Sequence, residues 1–171
     1  DDKYFFINTS DHNTSEQYYF SVDEKEPKPK LIKVRQRGVL YSVNSWDGKF
    51  YNHTNEDAED FKIDIADSLE KPEWKTFIAA KEEVLIGGLT FLKDWIIRSE
   101  TSDALDKLFV KNIITEKEEE LIFSDETVYV PGASLLQRDK DTDEIYLSYS
   151  SPKTQSRVYS YNLSSKEKRL V

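Results

Sequence analysis

The feature that most constrains this chain is a repeated pattern of short strands separated by polar turns. The last copy, 145–170, reads as three short strands joined by the turns 150–153 and 162–166, and the first two strands are rich in aromatic and β-branched residues. Three earlier segments share its shape, an aromatic-rich strand, a polar turn and a second alternating strand: 4–22, 50–65 and 95–113. Their starts lie roughly 45 to 50 residues apart. This period, in strands without helices, is typical of four-stranded β-propeller blades.

The repeat predicts an all-β fold, a partial β-propeller of about four consecutive antiparallel blades. Their expected limits are 1–37, 38–81, 82–125 and 126–171. Only three strands are expected before residue 38, so the innermost strand of the first blade should lie upstream of Asp1. The alternative is an ordinary antiparallel β-domain whose hairpins resemble one another as all hairpins do.

Local signals predict the details of the blades. Asp47-Gly48 predicts a two-residue hairpin turn. Gly87-Gly88 lies in an expected inner strand, where crowding near the propeller axis favours glycine. Pro131-Gly132 is expected to disturb the inner strand of the fourth blade. The outer strand of the third blade is expected at 121–123, after a charged, solvated run at 116–120.

Alternation within these strands also predicts the core. Nine side chains are expected to be largely buried between blades: Val43, Phe61, Ile63, Trp95, Ile97, Leu108, Val110, Tyr146 and Tyr161.

Composition excludes several classes of protein. The chain has 33 acidic and 24 basic residues, a net charge of -9, which argues against a nucleic-acid partner and favours basic peptides. It has no cysteine, and therefore neither a disulfide framework nor a thiolate metal site. No apolar run is long enough to span a membrane, and no signal peptide opens the sequence. We therefore expect a cytoplasmic domain cut from a longer protein.

One acidic segment partly matches a calcium-binding loop. Asp139, Asp141 and Asp143 have the spacing of the first ligands. The loop also requires glycine at its sixth position and a bidentate acid at its twelfth, where this chain has Glu144 and Ser150. A solvated hairpin is therefore the favoured interpretation, and no metal or other cofactor is expected.

No catalytic set is apparent either. His12 and His53 are the only histidines, and no His-Glu-x-x-His motif surrounds them. Gly132-Ala133-Ser134 begins like a nucleophile elbow, but Leu136 occupies the position of the second glycine. We therefore assign no catalytic, cofactor-binding or metal-ligating residue to this chain.

Two segments near the end of the chain have the sequences Tyr-Ser-Ser-Pro-Lys-Thr (149–154) and Val-Tyr-Ser-Tyr-Asn (158–162). They resemble the end of the propeller in the prolyl oligopeptidase family of serine peptidases, and in particular in its oligopeptidase B, or protease II, branch. The segment 6–16 resembles a hairpin of an earlier blade, and 41–43 with 50–55 matches the next. The ordered set covers essentially the whole chain, which makes it more specific than any single blade.

The resemblance implies a seven-bladed propeller and an α/β-hydrolase domain with a Ser-Asp-His triad. In that family the propeller covers the active site, so only short peptides are cleaved, and the oligopeptidase B branch cleaves after Lys and Arg. The triad is expected outside this chain, which alone should be inactive. The alternatives are a non-enzymatic propeller that binds a protein partner and a glycosidase-like propeller, which would require paired carboxylates. A Gly-x-Ser-x-Gly elbow downstream would favour the peptidase.

A partial ring also predicts association. The first and last blades would each expose an apolar, aromatic face, and the strand at 4–8 would offer an unpaired edge. The isolated chain is therefore expected to self-associate, while its natural partner would be the hydrolase domain of the same polypeptide.

Overall fold

The computed structural model describes residues 3–122, 126–136 and 140–171, which form fifteen β-strands in four antiparallel sheets. The first sheet has the order β1 (Tyr4–Ser10), β2 (Ser15–Ser21), β3 (Lys30–Leu31). The second has the order β4 (Tyr41–Trp46), β5 (Lys49–Thr54), β6 (Lys62–Ala66), β7 (Lys75–Ile78). The third has β8 (Leu85–Leu92), β9 (Trp95–Ser102), β10 (Leu105–Asn112), β11 (Glu118–Glu120). The fourth has β12 (Val130–Leu135), β13 (Glu144–Ser150), β14 (Arg157–Asn162), β15 (Lys168–Leu170).

The chain divides into two compact units, here called unit 1 (1–82) and unit 2 (83–171). Each unit contains two successive sheets. In unit 1 the middle strand β2 of the first sheet lies against β4, the first strand of the second sheet. In unit 2, β10 lies against β12 in the same way. In each unit, one strand of the first sheet therefore contacts the first strand of the second sheet.

These sheets confirm the predicted all-β, antiparallel fold. The first sheet has three strands among the described residues, with β1 at its edge, and each of the others has four. Each sheet lies within one of the expected blade ranges, although the limits between blades stay a prediction.

Each unit has its own apolar core between its two sheets. In unit 1 it is rich in aromatic rings, with partly buried side chains packed around it: Tyr19, Tyr41, Val43, Phe50 and Leu69. Its counterpart in unit 2 is mainly aliphatic: Leu92, Ile97, Leu108, Val110, Leu121, Ile145, Leu147 and Leu163. Apolar burial of this kind contributes roughly 25 cal/mol per Å² to folding, so each core holds its pair of sheets together.

The nine predicted core residues differ in their burial. Five are buried, as expected: Val43, Ile63, Ile97, Leu108 and Val110. The other four are only half-buried: Phe61, Trp95, Tyr146 and Tyr161. In β13 the buried residues are Ile145, Leu147 and Tyr149, so Tyr146 lies on the opposite face. The sequence predicts burial of Tyr146, but the register of β13 places it on the face away from the core.

Three local expectations have different outcomes. The turn between β4 and β5 is the predicted two-residue hairpin, with Asp47 and Gly48 both at positive φ. The outer strand of the third sheet is not at 121–123 but is β11, formed by part of the charged run. An edge strand tolerates charge, and Leu121, placed just after it, is buried in the core instead. Residue 123 lies outside the described residues.

The expected disturbance at Pro131-Gly132 is also wrong. Both residues lie inside β12, opposite Tyr149 and Ser148 of β13. Because β12 pairs on one side only, a residue without an N–H group is compatible with its position. A Cβ atom on Gly132 would overlap with the Ser148 hydroxyl, which explains the glycine.

The Gly87-Gly88 pair has a different cause from the one expected. The register of β8 and β9 shifts between Ile86 and Leu89, so both glycines oppose Ser99 in a β-bulge. A Cβ atom on Gly87 would overlap with Ser99 Oγ and lie 3.1 Å from the Ser99 carbonyl oxygen. A Cβ atom on Gly88 would meet nothing within 4 Å. The crowding therefore comes from the adjacent strand and affects only the first glycine.

We therefore expect Gly87→Ala to destabilise the chain by about 1 to 3 kcal/mol, the usual cost of overpacking. Gly88→Ala is the matched control and should change stability by less than about 0.5 kcal/mol. Thermal unfolding of both variants followed by circular dichroism provides the measurement. Equal melting temperatures for the two variants would show that Ser99 does not restrict Gly87.

Candidate functional site

Each unit contains a cleft where its two sheets diverge. In unit 1 it has a volume of about 270 Å³ and lies between the β1–β2 hairpin and the start of β4. We call it the unit 1 cleft, and its lining includes Ser15, Glu16, Tyr41, Ser42 and His53. The Glu16 carboxylate accepts a hydrogen bond of 2.6 Å from the Tyr18 hydroxyl.

The unit 2 cleft occupies the corresponding place between β10 and β12. Its volume is about 320 Å³, and its lining includes Gly88, Thr90, Ser99, Asp106 and Pro131. The two clefts are therefore a repeated feature of the fold, each formed where the strand after a hairpin meets the next sheet.

Two polar side chains fasten the sheets of unit 1 beside its cleft. The Gln17 side-chain amide donates to the Val43 carbonyl at 3.0 Å and accepts from the Val43 N–H at 2.7 Å. Ser15 Oγ binds the Tyr41 backbone in the same two-way manner, at 2.9 and 2.6 Å. Gln17 is 1% exposed, so these bonds satisfy backbone groups of β4 that burial would otherwise leave unpaired. We call this set the β4 clamp.

The Tyr41 hydroxyl completes the clamp. It accepts from the Gln17 N–H at 2.8 Å and donates to the Lys33 carbonyl at 2.9 Å. Burial raises the pKa of Tyr41, and the hydrogen bond from Gln17 partly opposes that change. The phenol therefore stays protonated at neutral pH and can donate to Lys33.

Asp143 connects the two sheets of unit 2. Its carboxylate accepts from the Trp95 indole N–H at 3.2 Å and from the Ser164 hydroxyl at 2.7 Å. The Asp143 carbonyl also accepts from the Leu163 N–H at 2.8 Å. This aspartate, singled out in the sequence as part of a calcium-like spacing, therefore binds donors of the protein itself.

A buried ion pair lies within the third sheet. The Arg98 guanidinium is bound by Glu100, at 2.7 Å, and by Glu118. It also lies over the Phe109 ring, 4.6 Å from the centroid. Burial lowers the pKa of Arg98, but its bonds to Glu118 and Glu100 outweigh this and raise it overall. Arg98 is therefore a structural cation that is already saturated with carboxylates.

Glu126 is held by three hydroxyl groups at the β13–β14 turn. Its carboxylate accepts from Ser151 and Tyr149, both at 2.5 Å, and from Thr154 at 2.8 Å. These hydrogen bonds, with Ser151 the largest contributor, lower the pKa of Glu126. The charged carboxylate thus fixes the turn, a role that the sequence did not indicate.

The remaining sequence candidates do not form a reactive set. Asp139 lies outside the described residues. His12 is exposed in a turn, and the His53 ring stacks on Phe61 with a centroid distance of 4.6 Å. Ser134 lies within β12 opposite Tyr146, and not at a strand-to-helix turn.

Two further features are absent from the described ranges. No group of three or more histidine, aspartate and glutamate side chains there could hold a metal ion. The same ranges contain no helix that is long and apolar enough to cross a membrane.

Comparison with known families places the chain in one of them. The family model for the "Prolyl oligopeptidase, N-terminal beta-propeller domain" matches residues 1–171. The chain therefore belongs to this family of peptidase propeller domains. With the four antiparallel sheets, this match confirms that the fold is a partial β-propeller.

Two curated relatives are peptidases by name. "Dipeptidyl aminopeptidase BI" of Pseudoxanthomonas mexicana is 29% identical over 142 residues, which is 81% of this chain and 19% of the relative. "Protease 2" of Moraxella lacunata is 25% identical over 169 residues, which is 99% of this chain and 24% of the relative. The chain thus spans a quarter or less of the length of these relatives.

Solved structures have the same fold. Oligopeptidase B from Trypanosoma brucei, in a closed form with covalently bound antipain, superposes with a TM-score of 0.87 at 21% identity. The match covers 98% of this chain and 25% of that one. Oligopeptidase B from Leishmania major gives a TM-score of 0.84 at 15% identity, with 98% and 25% coverage. At these identities the likeness shows the fold.

The β4 clamp leads to a stability prediction. Gln17→Ala should cost about 2 to 4 kcal/mol, because it leaves the buried N–H and C=O of Val43 without partners. Gln155→Ala, at an exposed glutamine in the β13–β14 turn, is the matched control and should cost less than about 0.5 kcal/mol. Urea unfolding of both variants gives the comparison. Equal losses would show that the clamp contributes little.

Glu126 leads to a prediction about pH. Its folded pKa lies below the ordinary value of 4.5, so its stabilising effect is present above that value and is lost as the pH falls through the folded pKa. The difference in Tm between the native chain and Glu126→Gln should therefore be greatest at neutral pH and shrink under acid conditions. Melting curves at a series of pH values test this, with Glu26→Gln, at an exposed position, as control. A difference that does not change with pH would contradict the proposed hydrogen-bonded carboxylate.

Proposed function

We propose that this chain is part of the propeller domain of a serine oligopeptidase that cleaves short peptides after Lys or Arg. The observation that carries the proposal is the family match over all 171 residues, together with relatives that are peptidases by name. The proposed polypeptide also contains an α/β-hydrolase domain outside this chain, which supplies the catalytic serine, aspartate and histidine.

Charge supports the basic substrate class. The chain carries a net charge of -9, and an acidic surface raises the local concentration of cationic peptides and lowers that of anionic ones. The antipain-bound oligopeptidase B structure has the same fold over this region. In the proposed enzyme the propeller covers the active site and admits short peptides while excluding folded proteins.

The two curated relatives carry names that imply different peptidase types, so the substrate must be chosen to separate them. An endopeptidase of the proposed type would hydrolyse an N-terminally blocked arginyl anilide. A dipeptidyl aminopeptidase would require a free N-terminus two residues from the scissile bond.

The decisive measurement uses the longer polypeptide that contains this chain. We expect it to hydrolyse benzoyl-arginyl-4-nitroanilide faster than the corresponding prolyl substrate and faster than an unblocked dipeptidyl anilide. The chain of residues 1–171 alone should give no turnover, because no nucleophile, base and acid set is found among the residues that the structure describes. The same arginyl sequence placed within a folded protein should resist cleavage.

Different results would overturn different parts of the proposal. A longer polypeptide without a Gly-x-Ser-x-Gly elbow, inactive on all three substrates, would favour a non-enzymatic interaction module. Preference for the unblocked dipeptidyl anilide would reassign the peptidase type. Turnover by the 171-residue chain that persists through purification would show that its own residues are catalytic.

A further inference from the structure

The two clefts occupy corresponding places but are lined differently. Beside the unit 1 cleft, the strand after the hairpin carries Ser15 and Gln17, which bind the backbone of Tyr41 and Val43 in the next sheet. The backbone of β4 is therefore already occupied by side chains of the protein. This leaves little for a ligand to bind beside that strand.

The unit 2 cleft has no such clamp among its described residues. Its wall on β10 carries Asp106 and Leu108, two residues apart like Ser15 and Gln17. Its wall on β12 carries Pro131 and Ala133. Leu108 has no hydrogen-bonding atoms in its side chain, and Pro131 has no N–H to donate. The sheets of unit 2 are instead held by the apolar core and Asp143, which leaves polar groups in the cleft for a ligand.

The lining of the unit 2 cleft combines an apolar floor with a single carboxylate. Ile97 and Leu108 form the floor and are buried, while Thr90 and Ser99 add hydroxyl groups. Asp106 is exposed, and one of its oxygens accepts a hydrogen bond of 2.6 Å from the Thr101 hydroxyl. This arrangement suits a side chain with an apolar stem and a cationic end.

The cationic groups near the cleft do not neutralise Asp106. Arg98 contributes to the lining, but its guanidinium is bound by Glu100 and Glu118. Lys107 precedes Leu108 on β10, so its side chain points to the opposite face of the sheet. Among the described residues, no lysine or arginine forms an ion pair with Asp106.

Size also limits the occupant. A volume of about 320 Å³ is at the lower end of the range for ligand pockets, roughly 300 to 1,000 Å³. The cleft therefore suits one long side chain with its flanking backbone. Gly88 lines the cleft without a side chain, and a Cβ atom there would extend into open space because it would meet nothing within 4 Å.

We propose that the unit 2 cleft is a binding site for a lysine or arginine side chain of a peptide, with Asp106 as the group that recognises its charge. The apolar stem lies on Ile97 and Leu108, and the cationic end reaches Asp106. This deepens the proposed function and rests on it for the biological source of the peptide, but binding itself requires no catalysis. In the longer polypeptide the site would hold a basic residue of the substrate at a distance from the cleaved bond.

The test is a nuclear magnetic resonance titration of the 171-residue chain with two matched peptides, acetyl-Gly-Arg-Gly-amide and acetyl-Gly-citrulline-Gly-amide. Citrulline preserves the shape of arginine and removes its charge. The arginyl peptide should shift the amide resonances of Gly88 and Gly132 and bind about two- to fivefold more tightly, the range for an exposed charge pair. The citrulline peptide should shift the same resonances more weakly.

Three variants make the test specific. Asp106→Asn should remove the preference for arginine over citrulline. Asp103→Asn, which removes the same charge from the nearby β9–β10 turn, should preserve it. Gly88→Val should abolish binding of both peptides by narrowing the cleft, and its melting temperature shows whether the variant stays folded; a Cβ atom at this position would meet nothing within 4 Å.

Three results would refute the site. The first is the absence of saturable shifts at Gly88 and Gly132, and the second is equal affinity for the two peptides. The third is an equal loss of the preference for arginine in Asp106→Asn and Asp103→Asn. If Gly88→Val fails to fold, Asp106→Asn still decides the matter. A chain that binds the arginyl peptide while the longer polypeptide is inactive would refute the proposed enzyme and leave the site in place. An active enzyme whose propeller does not bind the peptide would support the proposed enzyme and refute the site.

Discussion

The structure of unit 1 depends on how its first sheet satisfies the first strand of its second sheet. In unit 1 that strand is β4, and the Gln17 amide binds both the N–H and the C=O of Val43. A β-strand at the edge of a sheet has backbone donors and acceptors on its open side, and burying them unpaired costs free energy. Gln17 and Ser15 supply the missing partners from a neighbouring sheet. These two side chains thus provide hydrogen bonds to the β4 backbone of the kind that a further paired strand would provide.

Unit 2 joins its two sheets by other means. Its sheets meet through an aliphatic core and through Asp143, which joins Trp95 to Ser164. Hydrophobic contacts are not directional and use no hydrogen-bonding groups. This interface therefore does not engage the polar side chains at the end of the third sheet, such as Asp106. That difference explains why the two corresponding clefts have distinct chemistry: Ser15 and Gln17 occupy the backbone of β4 beside the unit 1 cleft, whereas the unit 2 cleft presents Asp106 and has no such clamp among its described residues.

The two end sheets of the chain also differ from each other. The first exposes apolar side chains on the face away from its core, including Phe5, Ile7 and Val22. On the corresponding face of the fourth sheet, Ser134, Ser148, Ser160 and the half-buried Tyr146 lie beside the exposed apolar side chains of Val130 and Val158. A surface of the first kind favours covering by another segment or molecule, so self-association through the first sheet stays a prediction. The second surface mixes hydroxyl groups with apolar side chains, so it offers both hydrogen bonds and hydrophobic contacts to a neighbour.

Strand content, turns and repeat period were determined by the sequence itself, because they depend on residues close together in the chain. Asp47-Gly48 defines its hairpin within four residues, and the spacing of aromatic strands predicted the sheets and the propeller class. Tertiary structure decided which polar residues are structural. Gln17 reads as one more polar residue in an aromatic strand, and its partner Val43 lies 26 residues away. Glu126 is bound by hydroxyl groups up to 28 residues distant, and the bulge at Gly87 depends on Ser99 in the facing strand. Periodicity reports which face of a strand a residue occupies, but only the packing of distant strands determines what that face meets.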